Sequence, residues 1–115
     1  IVGHSAGGSA ISSAAQEGGL CEVEPSNIVW SDASYGQWLD HAWSGCLSDT
    51  TVKLKLLVRK WDKPHVRADS FLKTISKTTV IKDRIDYKVL DRKQYRHGDI
   101  GNNALILSDL FGPDL

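Results

Sequence analysis

Ile1-Val2-Gly3-His4-Ser5-Ala6-Gly7-Gly8 opens the chain and decides how the rest is read. An apolar stub leads into a Gly-x-Ser-x-Gly pattern, Gly3 to Gly7, and small residues follow. Such a segment suits a strand that turns sharply into a helix and holds one serine at the tip of the turn. Glycines are expected on both sides of the serine, because side chains there would collide with neighbouring backbone. The turn exposes Ser5 Oγ, and the Ala6 N–H at the helix start points to where a negative oxygen could form.

Outward from this turn, hydrophobic periodicity gives a regular alternation. Ser9 to Glu17 reads as a helix stopped by Gly18-Gly19. Asn27 to Ser31 reads as a short buried strand, with Asp32 at its end. Gln37 to Trp43 has Trp38, Leu39, Ala42 and Trp43 at helical spacing. Val52 to Val58 alternates apolar and lysine positions, as a strand does. Ser70 to Ile75, beginning as early as Val66, makes an amphipathic helix. Ile85 to Leu90 is the last strand, a polar loop with His97 follows, and Asn102 to Phe111 closes as a helix before Gly112-Pro113. Strands alternating with helices predict an α/β fold with an open, doubly wound, mostly parallel sheet. Chemistry in such sheets gathers beyond the carboxyl ends of the strands, and Ser5, Asp32 and His97 each follow one.

Composition bounds the function classes. The 115 residues make one domain at most, with 41% hydrophobic and 24% charged residues, both globular values. Fourteen basic residues balance fourteen acidic ones, which gives no electrostatic case for nucleic acid. No apolar run approaches the roughly 18 residues of a spanning helix. The four histidines lack ligand spacing, so neither a metal nor another cofactor is expected. Cys21 and Cys46 either form one disulfide or stay as two buried thiols; neither belongs to a C-x-x-C pair. A disulfide would favour a periplasmic or secreted protein.

Taken together, the Gly3–Gly7 turn, an acid after a later strand and a histidine after the last strand resemble the C-terminal half of an α/β-hydrolase, in the family's order Ser, Asp, His. The resemblance is closest to bacterial members with an Asp-Ala-x-Tyr-Gly stretch, here Asp32 to Gly36, followed by Trp38. It implies that residues 1–115 are the C-terminal portion of one hydrolase domain. It further implies a serine hydrolase that forms an acyl-enzyme on a small-molecule ester or amide. Ser5 would be the nucleophile, His97 the general base, Asp32 the acid that orients it, and Ala6 N–H one oxyanion donor. Tyr35 and Trp38 would line a substrate pocket. Asp62 is the alternative acid; it follows the next strand, beside Arg59 and Lys60. An alternative reading is a non-catalytic interaction or scaffold chain of the same fold.

His41 and His65 are expected on the surface or on a helix face, and His4 packed under the turn. Trp30, Trp38, Trp43 and Trp61 are expected in the core. Asp62 is a solvated loop carboxylate paired with a nearby base. The opening Ile-Val-Gly also resembles the processed N-terminus of trypsin-like proteases, but those are all-β with the histidine before the serine. Two apolar residues before the turn are too few for a buried strand, and the family's second oxyanion donor comes from a loop before it. The expected partner is therefore the N-terminal portion of the same hydrolase, as a second chain or an upstream segment.

Overall fold

The computed structural model describes residues 1–75, 83–101 and 104–112. Strands β1 (Val2–His4), β2 (Asn27–Ser31), β3 (Lys53–Arg59) and β4 (Ile85–Leu90) form a four-stranded sheet in that order. Every pairing is parallel: Val2 lies against Val29, Ile28 against Leu54 and Leu54 against Ile85. The alternation at 53–58 explains β3. Leu54, Leu56 and Val58 enter one side of the sheet and Leu57 the other.

Helix α1 (Gly7–Gln16) leads from β1, and α3 (Trp38–Gly45) and α4 (Lys63–Ile75) join the later strands. Crossovers of one hand between strands in sequential order put these helices on one face. There Ile11 and Ala15, Leu39 and Ala42, and Ala68, Phe71 and Ile75 pack with Ile28, Trp30, Leu54, Leu56 and Val58. Burying each large apolar side chain contributes roughly 1.5–3 kcal/mol. The opposite face is covered by α5 (His97–Ile100) and α6 (Ala104–Phe111), through Ile100 and Leu107 against Val29, Leu57 and Leu90. The molecule is thus α/β with helices on both faces, and the strand order carries no reversal.

Several details depart from the sequence reading. Gly18, at φ 86°, ends α1 as expected, but a short helix α2 (Gly19–Val23) restarts at once. Helix α4 begins at Lys63, earlier than Val66, because Pro64 sits in the first turn, where no intrahelical N–H is needed. A 3₁₀ turn, Leu47–Asp49, precedes β3. His97 lies not in a loop but at the first position of α5, where the Asp99 carboxylate accepts the Arg96 N–H at 3.2 Å. Asn102 and Pro113, expected at the ends of the last helix, lie outside the described residues. Trp61 is not in the core: it is 71% exposed, while Trp30 is buried and Trp38 and Trp43 pack at the core's margin.

Cys21 and Cys46 are joined in a disulfide that ties α2 to the end of α3 across 25 residues. Closing a loop of that length is worth roughly 3 kcal/mol. Arg84 serves the same region. Its guanidinium donates to the carbonyls of Leu47 and Val52 and lies over the Trp43 ring, and burial lowers its pKa from the ordinary value.

Candidate active site

In a parallel sheet all carboxyl ends share one edge. Ser5, Asp32 and Asp62 follow β1, β2 and β3 there, and His97 opens the helix after β4. Ser5 has φ 52°, a left-handed conformation that a non-glycine residue holds at a cost of order 1–3 kcal/mol. The Gly8 and Ser9 N–H groups bond back to the Ser5 and Ala6 carbonyls at 3.0 Å each. The Ala6 N–H therefore stands ahead of the helical ladder, among the donors that a helix start leaves over.

Crowding explains the glycines differently from expectation. A Cβ on Gly3 would stand 2.5 Å from Ile11 Cδ1. On Gly7 it would meet open space, so collision is not the reason for that glycine. The crowded partner is Gly8, whose Cβ would run into the Ala33 carbonyl oxygen and the Trp38 ring. Helix α1 thereby presses directly on the loop after β2, which carries Asp32.

Asp32 is 1% exposed and also left-handed, at φ 48°. Aspartate tolerates this conformation better than most residues, and the bend is held by its N–H on the Leu57 carbonyl at 2.8 Å. His97 Nδ1 lies 2.5 Å from Asp32 Oδ2. A carboxylate accepts, so Nδ1 carries a proton, and in the neutral ring the lone pair then falls on Nε2. Asp32 Oδ1 is buried with no hydrogen-bond partner among the described residues, as is Trp30 Nε1. Ser31 Oγ donates to the Ile100 carbonyl at 2.9 Å and pins α5 to the end of β2.

The His97 ring rests on His4, with centroids 4.5 Å apart. The ring of His4 is fixed by its Nδ1–H on the Ser31 carbonyl at 2.9 Å, and Gly101 backs it closely. His97 is thus seated on the residue that precedes Ser5. Tyr35 stands edge-on to His97 at 6.5 Å and to Trp38 at 5.9 Å. Burial first, then the charges of Asp32 and Asp62, raise the Tyr35 pKa above its ordinary value, against the opposing pull of Arg59.

Asp62, the alternative acid, is engaged elsewhere. Its Oδ2 accepts from Arg59 Nε at 2.7 Å and lies 2.6 Å from Arg59 Nη2. Its Oδ1 pairs with Arg92 Nε at 3.2 Å. His41 is exposed. His65 accepts the Trp61 N–H at Nδ1, 2.8 Å, and turns Nε2 to Asp69, 3.4 Å away, so it braces the start of α4. Sequence reasoning gave Arg59 no place at the site. Its Nε stands 3.8 Å from Asp32 Oδ2, and the only hint was a basic residue closing a strand beside strand-end acids.

No group of three or more His, Cys, Asp or Glu side chains that could hold a metal ion occurs among the described residues. No described helix is long and apolar enough to cross a membrane. No family model matches the chain, and no curated protein and no solved structure gives a match.

Proposed function

We propose that the chain is the catalytic portion of a serine hydrolase of the α/β-hydrolase type, acting through an acyl-enzyme on an ester or amide. The observation that carries the reading is the 2.5 Å contact of His97 Nδ1 with Asp32 Oδ2, between residues 65 apart in sequence, at the sheet edge where a left-handed Ser5 follows β1. A buried aspartate that fixes the histidine tautomer is what a base needs if Nε2 is to take a proton.

In the proposed reaction, Ser5 Oγ attacks the substrate carbonyl as its proton passes to His97 Nε2. The oxyanion is held by the Ala6 N–H and by a second donor. Collapse breaks the bond to the leaving alcohol or amine, which takes the proton from His97. Water, deprotonated by His97, then attacks the acyl-enzyme and releases the acid and Ser5. Tyr35 and Trp38 border the place where the leaving group or acyl chain would lie.

The reading includes a partner. Among the described residues β1 pairs on one side only, with β2, and Ile1 and Val2 are exposed at 49% and 37%. A shallow apolar groove runs beside it, lined by Val2, Gly7, Ala10, Ile11 and Ala14. The N-terminal portion of the same hydrolase, as a second chain or an upstream segment, would add a strand here and bring the second oxyanion donor. A fluorophosphonate probe tests the nucleophile: it should label the complete protein at Ser5 and leave Ser5→Ala unlabelled. Equal labelling of Ser5→Ala would exclude Ser5.

A further inference from the structure

We propose that Arg59 and Asp62 form a positioning pair that fixes the His97 segment against Asp32 and balances the charge around the Asp32–His97 contact. The proposal deepens the hydrolase reading and rests on it for any effect on turnover. Its geometry stands by itself. Arg59 closes β3, between the strand that ends at Asp32 and the strand that leads to His97. Its Nε and Nη2 both engage Asp62 Oδ2, and Nη1 donates to the Tyr95 carbonyl at 3.2 Å, two residues before His97. Asp62 Oδ1 takes Arg92, at the start of the same segment. The chain from Arg92 to Ile100 is therefore fastened at Arg92, Tyr95, His97 and Ile100, and two of these four points depend on this pair.

Stability alone is a poor reason for such an arrangement. Partly exposed ion pairs contribute little, with a median near 0–1 kcal/mol. Arg59 and Asp62 are each 17% exposed at the side chain, and Arg92 is 53% exposed. What distinguishes the pair is its position. The Arg59 cation stands 3.8 Å from Asp32 Oδ2, close enough to oppose a positive imidazole, and Asp62 offsets that cation. The groups that face His97 are Asp32 and Tyr35 from the loop after β2 and His4 from the end of β1, with Arg59 behind Asp32. On its own helix start, Asp99 is turned back to the Arg96 N–H.

The two members consequently act on His97 with opposite sign, which a merely structural role would not do. Arg59→Gln removes a cation and leaves Asp62 uncompensated, so the His97 titration should move up by about half a pH unit or more. Asp62→Asn frees the Arg59 cation and should move it down by a similar amount. Arg59→Lys keeps the charge and should stay near the parent value. The readout is an NMR titration of the labelled His97 ring in the chain co-expressed with its N-terminal portion, which needs no turnover. Shifts of one sign in both variants, or no shift in either, would overturn the proposal. If the Arg59 variants do not fold, the exposed Arg92→Gln decides: a smaller upward shift supports the pair, and none overturns it. Opposite shifts in the chain co-expressed with its N-terminal portion, with no hydrolysis and no fluorophosphonate labelling of Ser5, would sink the hydrolase reading and leave the pair standing.

Discussion

His97 Nδ1 stands 2.5 Å from Asp32 Oδ2 although the two residues lie 65 apart, and Asp62, which lies nearer to Asp32 in sequence than His97 does, engages two arginines instead. Two side chains of the same type thus occupy two environments at one sheet edge. Asp32 is buried, with one oxygen on an imidazole and the other without a partner among the described residues. Asp62 is a counterion between two segments. If the hydrolase reading holds, Asp32→Asn should lower kcat by about 10⁴, since the asparagine would hold the wrong histidine tautomer. Asp62→Asn should cost less than about tenfold at the optimum and shift the pH profile. Steady-state rates of both variants on a chromogenic ester check this, and the reverse ranking would make Asp62 the acid.

Close packing gives a prediction independent of catalysis. Gly8→Ala would force a methyl group into the Ala33 carbonyl, which is backbone and cannot turn away. Overpacking of this kind costs about 1–3 kcal/mol. Gly7→Ala, one residue earlier, meets open space and should be neutral or stabilising by up to about 1 kcal/mol, given the better helix propensity of alanine. Chemical denaturation of the two variants reads the difference. Equal stability of both would mean that α1 and the loop after β2 are not in contact as described.

Most of the fold was legible where one residue spacing decided one element. The limits of β2 and β4 follow from apolar runs bounded by polar residues, and the parallel α/β class follows from their alternation with helices. Short helices were not legible. Helix α5 spans four residues, too few for periodicity, and its start depends on the Asp99 carboxylate reaching back to one N–H. The start of α4 was obscured by a proline that breaks a helix interior but suits a first turn. At the site, residue order pointed to Ser5, Asp32 and His97, and the structure brings the last two into contact. The pairing of Asp62 with a base beside it was legible, and Arg59 is that base; its reach to Asp32 and Tyr95 was not, because these partners come from loops that meet only once β2, β3 and β4 are side by side. Trp61 was misread because hydrophobicity alone does not tell a core tryptophan from one held in a left-handed turn, here at φ 69°.

Two tyrosines make stability sensitive to alkali. The Tyr87 pKa is raised by burial first, then by its hydrogen bond to Asp69 at 2.8 Å and by that residue's charge. Tyr35 is raised by burial and then by Asp32 and Asp62. Unfolded tyrosine loses its proton near pH 10. The stabilisation from these raised groups is therefore fully present below about pH 10 and is lost as pH rises through their folded values. Denaturation midpoints should fall above about pH 10. They should fall less steeply for Tyr87→Phe, which is also less stable at neutral pH through loss of the Asp69 contact. A slope unchanged by that substitution would count against the buried phenol.

The outer edge of β1 supplies the last prediction. Its backbone donors and acceptors face away from β2, with no strand of the described residues beside them, next to exposed Ile1 and Val2 and an apolar groove. Unprotected edges of this kind pair with other chains. The isolated chain should therefore self-associate at micromolar concentration or unfold without a sharp transition. Val2→Lys places a charge on the edge and should reduce the association, as edge lysines do. Co-expression with the N-terminal portion proposed as its partner should restore a cooperative transition and, if the second oxyanion donor comes with it, esterase activity. Sedimentation and thermal unfolding read both arms. A monomeric isolated chain that unfolds sharply and hydrolyses esters would show that this edge needs no partner.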